Sequence, residues 1–162
     1  MVTGTSGNPR LKSWLVGTLS VFALVLVPAA KANRPEAATL NDAVLVQMEN
    51  EADHAKPREQ CYLYTELVDA LTETAAQQVA AGDDTEAGKT VTRLGGVIAK
   101  LQQAASRDAK KLKNAEKMLG ESARKLKDLS RVANGGERDD MQAILVKLNA
   151  AHNKILSLVF LN

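Results

Sequence analysis

A single cysteine, Cys61, leaves the chain without an internal disulfide and without a CxxC metal motif. The two histidines, His54 and His152, have no His or Cys partner three or four residues away, so neither starts a helical metal site. The inward Glu and Glu-x-x-His pairs of di-iron bundles are absent too. Aromatic residues make up 3 % of the chain and Trp14 is the sole tryptophan. With no aromatic interleaved among its basic residues, the chain lacks the stacking platform that single-stranded nucleic acid needs, and no nucleic-acid partner is expected. Proline stops at Pro57, and no alternating β-branched run follows it. Acid is missing from the first 32 residues, which carry only Arg10, Lys12 and Lys31 as charges.

What fills that acid-free stretch is the apolar block "SWLVGTLSVFALVLV", between Lys12 and Pro28. A membrane-spanning helix needs roughly 20 apolar residues. The shorter block suits the central region of a secretory signal peptide, and Ala30-Lys31-Ala32 supplies a small-x-small cleavage site. Residues 1–32 therefore read as a signal peptide cut between Ala32 and Asn33, 33–38 as a short linker, and 39–162 as one helical domain. Export to the periplasm or beyond follows; the alternative is an uncleaved N-terminal anchor. Cleavage changes the formal charge from +2 to −1. The remaining charge is segregated, with 12 acids against 3 bases over residues 33–86 and 12 bases against 4 acids over 87–131. Opposite charges of that kind pair neighbouring helices.

Alanine, leucine, lysine, glutamate and glutamine dominate the rest, which predicts an all-α antiparallel bundle. Helices are expected near 39–53, 57–81 and 137–160, around one long helix at about 85–132. The first would be capped by Thr39 and carry the stripe Leu40, Val44, Met48, Ala52. Pro57 opens the second, whose seam is Cys61, Tyr64, Val68, Leu71, Ala75 and Val79. Gly82 ends it, and Asp83 with Glu86 forms a capping box for the third. A heptad then runs from Ala87 to Ala133, interrupted at one seam position by Asp108. Gly95-Gly96 would kink this helix, admit a close neighbour, or break it into a compact monomer. At 1.5 Å per residue the long helix would reach roughly 70 Å, with the helices on either side lying end to end along it. One half would then be a bare hairpin exposing Leu112, Leu119, Leu126, Leu145, Leu148 and Ile155, which a homodimer would cover.

The same register brings His54, Cys61 and Asp108 together near the midpoint of the long helix, with Phe160 packed on Cys61. That set could hold a small molecule or metal, or act as a thiol enzyme. As a buried seam residue, Cys61 is instead a small apolar packing group, or the thiol of an intermolecular bridge. Neither a catalytic residue nor a cofactor is assigned. Lys110, Lys113, Lys117, Arg124, Lys127 and Arg131 form a stripe nearly opposite the seam, suited to an anionic surface or an acidic face of an envelope protein.

The runs "EQCYLYTELV", "AAGD" and "LKNAEKML" resemble small exported bacterial helical proteins over about residues 49 to 162. The resemblance implies export and a helical fold, and carries no activity. The preferred expectation is a non-enzymatic envelope protein acting by protein or surface interaction, scaffold or chaperone-like.

Overall fold

The structure, a computed structural model, describes residues 35–161, with side chains from Asp42 onward. The expected signal segment and the Ala32-Asn33 cleavage site lie outside the described residues. Five helices are described: α1 (Pro35–His54), α2 (Pro57–Ala80), α3 (Asp84–Ala104), α4 (Leu112–Val132) and α5 (Gly135–Leu161). The all-α bundle expected from composition is what forms.

α1 begins at Pro35, inside the expected linker and ahead of Thr39, because proline suits a first helical turn whose N–H groups have no partner anyway. Its buried stripe passes through Leu45 and Ala52, and Val44 is left exposed. α2 opens on Pro57 after the extended Lys56. It buries Cys61, Tyr64, Val68, Leu71 and Ala75 as the periodicity required. Gly82 turns the chain at φ 73°, a left-handed conformation that glycine adopts without penalty. Asp83 then caps α3, its Oδ1 accepting the Glu86 N–H at 3.4 Å. The Glu86 carboxylate reaches Lys89 at 2.6 Å and does not close the capping box.

The single long helix does not form. The helical backbone stops at Ala104, and Ala105 is extended (φ −67°, ψ 113°). Residues up to Lys111, which is left-handed at φ 57°, make a compact reversal. The physical reason is Asp108. A carboxylate at a seam position of a continuous helix would have to be buried, which is expensive without a counter-charge. Breaking the helix there leaves Asp108 exposed and lets the two halves of the heptad, α3 and α4, each pack against both α2 and α5 in place of running on as one helix. The start of α2 satisfies the reversal: Lys110 donates its backbone N–H to the Arg58 carbonyl at 2.8 Å. Arg58 Nε in turn donates to the Asp108 carbonyl at 3.1 Å. α3 runs unbroken through Gly95-Gly96, and Gly95 serves as the point of close approach to α5.

The fold is therefore a stack of αα-hairpins. α2 packs against α3 and α4 against α5 within hairpins, while α2 meets α4 and α3 meets α5 between them. Contacts between hairpins recur at separations of 50 to 53 residues: Glu59 with Lys110, Asp69 with Ser122, Glu73 with Lys125, Asp84 with Asn134, Gln102 with Lys154. Residue numbers rise together across these pairs, so α2 lies parallel to α4 and α3 parallel to α5. α1 extends the pattern upstream, packing on α2 and pairing with α3 through Asp42 and Glu49 at a separation of 51 from Arg93 and Lys100. One core runs through the stack, with Leu67, Leu94, Leu101, Leu119, Leu126 and Leu148 fully enclosed. Each such side chain stabilises the fold by about 1.5–3 kcal/mol relative to exposure. Leu112, Leu119, Leu126, Leu148 and Ile155, the seam that a dimer was expected to close, are buried within one chain, and Leu145 is half-buried against the same core.

Candidate functional site

His54, Cys61 and Asp108 do not form a site. The Cys61 thiol is wholly buried, and that burial pushes its pKa up to about 11, with the Lys154 charge pulling weakly the other way. His54 is exposed and its Nδ1 lies 2.8 Å from the carbonyl of Asn50. Asp108 is exposed and meets α2 through its backbone carbonyl, not its carboxylate. Phe160, expected beside Cys61, is 81 % exposed. The predicted convergence rested on counting along a 70 Å helix, and the reversal at Ala105–Lys111 removes that geometry. Among the described residues no group of three His, Cys, Asp or Glu side chains could hold a metal ion.

The apolar groove between α1 and α2, bordered by Val44, Leu45, Met48, Ala70 and Thr74, encloses about 210 Å³. That is below the roughly 300–1,000 Å³ of ordinary small-molecule sites. Beside it, Tyr64 donates its hydroxyl to Asp53 Oδ1 at 2.6 Å, and Lys100 bridges Asp53 and Glu49 at 2.9 and 3.0 Å. The Tyr64 hydrogen bond first, and then that of Lys100, lowers the Asp53 pKa. The Lys100 hydrogen bond is the main cause of the lowering at Glu49. Burial and then the Asp53 hydrogen bond raise Tyr64 to about 12. These groups spend their charge on holding α1 to α2 and α3.

The basic stripe has a different fate. Lys110 is paired with Glu59 at 3.3 Å, and Arg131 with Asp128 one turn away at 3.1 Å. Lys113, Lys117, Arg124 and Lys127 are exposed and make no ion pair among the described residues. Lys125, which the helical wheel places off the stripe, points at α2, where it meets Glu73 at 3.1 Å and Asp69 at 3.6 Å. At about 100° per residue, Lys113, Lys117, Arg124, Lys127 and Arg131 fall within about 45° of one direction, roughly opposite the side of α4 that meets α2. The stripe thus lies on the outer face of the second hairpin, at the end of the stack away from α1.

α5 supplies the other half of that face, which sequence reasoning missed. His152 Nε2 lies 2.9 Å from Glu116 Oε1 across the α4–α5 contact, seated over Gly120, where a Cβ would come within 3.5 Å of the ring. Beyond this contact α5 turns outward an uncharged row: Gln142, Val146, Asn149, Asn153 and Phe160, all exposed. Of the two lysines of this stretch, Lys154 turns to α3, donating to the Gln102 carbonyl at 2.6 Å, while Lys147 is exposed and its backbone carbonyl accepts from Gln102 Nε2 at 3.3 Å. The signal was present in the run from Met141 to Asn162, which has two lysines and no acid. By length and composition alone α5 is the one described helix that could cross a membrane.

No family model, curated protein or solved structure matches the chain. The functional reading therefore rests on the chemistry of this face.

Proposed function

We propose that the protein is a non-enzymatic helical module of the cell envelope that works through its surface, as a scaffold or chaperone-like interaction partner. It is exported by its N-terminal segment and released by cleavage between Ala32 and Asn33. The observation that carries this reading is the row of Lys113, Lys117, Arg124 and Lys127: four exposed cations without a partner among the described residues. What sets them apart is that they share one side of one helix, whereas Lys56, Arg107 and Lys147, also without an ion pair among the described residues, are scattered over different elements. The buried, upshifted thiol of Cys61 supports a packing role for that residue and not a nucleophilic one.

The test is photo-cross-linking in cells from a photoreactive residue placed at Lys117, with the same residue at Gln103 on α3 as control. Adducts at the first position that are absent at the second are expected. Equal labelling at both positions would remove the stripe as the working surface. Sequencing the N-terminus of the exported protein should return Asn33, whereas a retained Trp14 would mean an uncleaved anchor.

A further inference from the structure

Within the interaction reading above, on which this inference rests, we propose that the α4–α5 face lies flat on an anionic phospholipid bilayer. The α4 row contacts headgroup phosphates, while Val146 and Phe160 reach the interfacial region. Two independent features converge on this face. One is the basic row, which spans 14 residues from Lys113 to Lys127, or about 21 Å of helix. Three of its four unpaired members are lysines, compact charges on flexible stems. Such stems follow a fluid array of phosphates without needing a fixed pairing geometry. The other is the α5 row alongside it, where Val146 is 70 % and Phe160 81 % exposed. An acidic protein face would satisfy the lysines but leave this uncharged row without a matching partner. A bilayer surface matches both rows at once: its headgroup layer takes the cations and the amides of Gln142, Asn149 and Asn153, and its hydrocarbon margin takes Val146 and Phe160. Among the described residues, the carboxylate between the rows, Glu116, is hydrogen-bonded to His152 and only 31 % exposed, and Asp128, on the far side of the basic row, is neutralised by Arg131.

Binding should depend on anionic lipid and fall with salt. Each basic side chain near such a surface contributes about fivefold in partitioning, so removing four should weaken binding at least about a hundredfold. The chain from Asn33 to Asn162, the form that the proposed cleavage leaves, is mixed with phosphatidylcholine vesicles, with and without phosphatidylglycerol, and separated by flotation. The comparison variant carries Lys113→Gln, Lys117→Gln, Arg124→Gln and Lys127→Gln. Because these side chains are exposed and unpaired, its thermal midpoint should match that of the parent chain, which confirms that it folds. A second variant, Phe160→Trp, whose indole is the sole tryptophan after Asn33, reports insertion through quenching by brominated lipid.

The expected result is phosphatidylglycerol-dependent flotation that the quadruple variant loses, with quenching only on anionic vesicles. Flotation that ignores phosphatidylglycerol, or that survives the four substitutions, would overturn the inference. So would an indole at position 160 already shielded before vesicles are added, since another part of the chain would then cover the face. Lys117-specific cross-links to protein, without vesicle binding, would sink the lipid surface and leave the interaction reading standing; loss of both would remove the two together.

Discussion

Replacing Gly95 by alanine adds a methyl whose carbon would lie 2.6 Å from Ile144 Cδ1, closer than two carbons can sit. Two effects oppose each other. Alanine in the middle of a helix is favoured over glycine by about 0.8–1 kcal/mol. The obstructing atom is the end of an isoleucine, and swinging it out of its well costs about 0.5–1.5 kcal/mol. The single substitution should therefore be close to neutral. Gly96→Ala, where nothing lies within 4 Å, should show the helix gain alone. Ile144→Val deletes the obstructing methyl and should destabilise by about 0.5–1.5 kcal/mol through the void it leaves. In the double variant the new alanine methyl occupies that void, so Gly95→Ala with Ile144→Val should be more stable than the sum of its parts by about 1 kcal/mol. Urea denaturation followed by far-ultraviolet circular dichroism measures all four chains. Additivity of the two substitutions, or a Gly95→Ala gain equal to that of Gly96→Ala, would mean that α5 does not approach α3 through this glycine.

Cys61 should react slowly with a thiol reagent in native buffer and fast in denaturant. Because its folded pKa is raised above the ordinary 9.0 to about 11, its contribution is intact below pH 9 and is lost as pH rises between those values; titration of stability with pH reads this. Tyr64→Phe removes the donor to Asp53 and should destabilise at neutral pH by about 1 kcal/mol. The lowered pKa values of Asp53 and Glu49 mean stability present above the ordinary carboxylate range and lost as pH falls through their folded values. The Tyr64→Phe chain should accordingly show a shallower acid limb, and identical limbs would count against the bridge. Ser106→Ala with Asp108→Leu should favour a straight α3–α4 helix and raise the dimer fraction by exchange of hairpins between chains. Light scattering that finds the mass of the parent chain would refute this.

Much of this architecture could be read from residue spacing, and the exceptions are instructive. The seams of α2, α3 and α4 were visible because burial follows a period that Cys61 to Ala75 and Leu112 to Leu126 keep strictly. The break was visible only as an anomaly. Asp108 stood out, but the heptad register continues on both sides of it, so local pattern could not tell a bent helix from a reversed one. The two adjacent glycines, a better breaker by propensity, are accommodated because α5 needs the space at Gly95. Tertiary packing outweighs propensity in both places. The wheel foresaw the exposure of Lys113, Lys117, Arg124, Lys127 and Arg131 on α4, since exposure on an amphipathic helix is set by the seam, but not that Lys110 falls in the reversal before it. It could not identify the uncharged α5 row as its neighbour, because that adjacency depends on how the second hairpin closes.

The acid-to-base pairs divide unevenly between the joints of the stack. Asp42, Glu49 and Asp53 bind α1 to α3, Glu59 binds α2 to Lys110 in the reversal, and Asp69 and Glu73 bind α2 to α4, whereas the α2–α3 contact has no ion pair among the described residues. The α4–α5 contact has only His152 with Glu116. Screening at high ionic strength acts on the first set and leaves apolar contacts alone. Rising salt therefore loosens the seams between hairpins before the hairpins themselves. One apolar core crosses these joints and holds the stack together, so the effect is confined to local opening, and amide hydrogens facing the charged joints should exchange first.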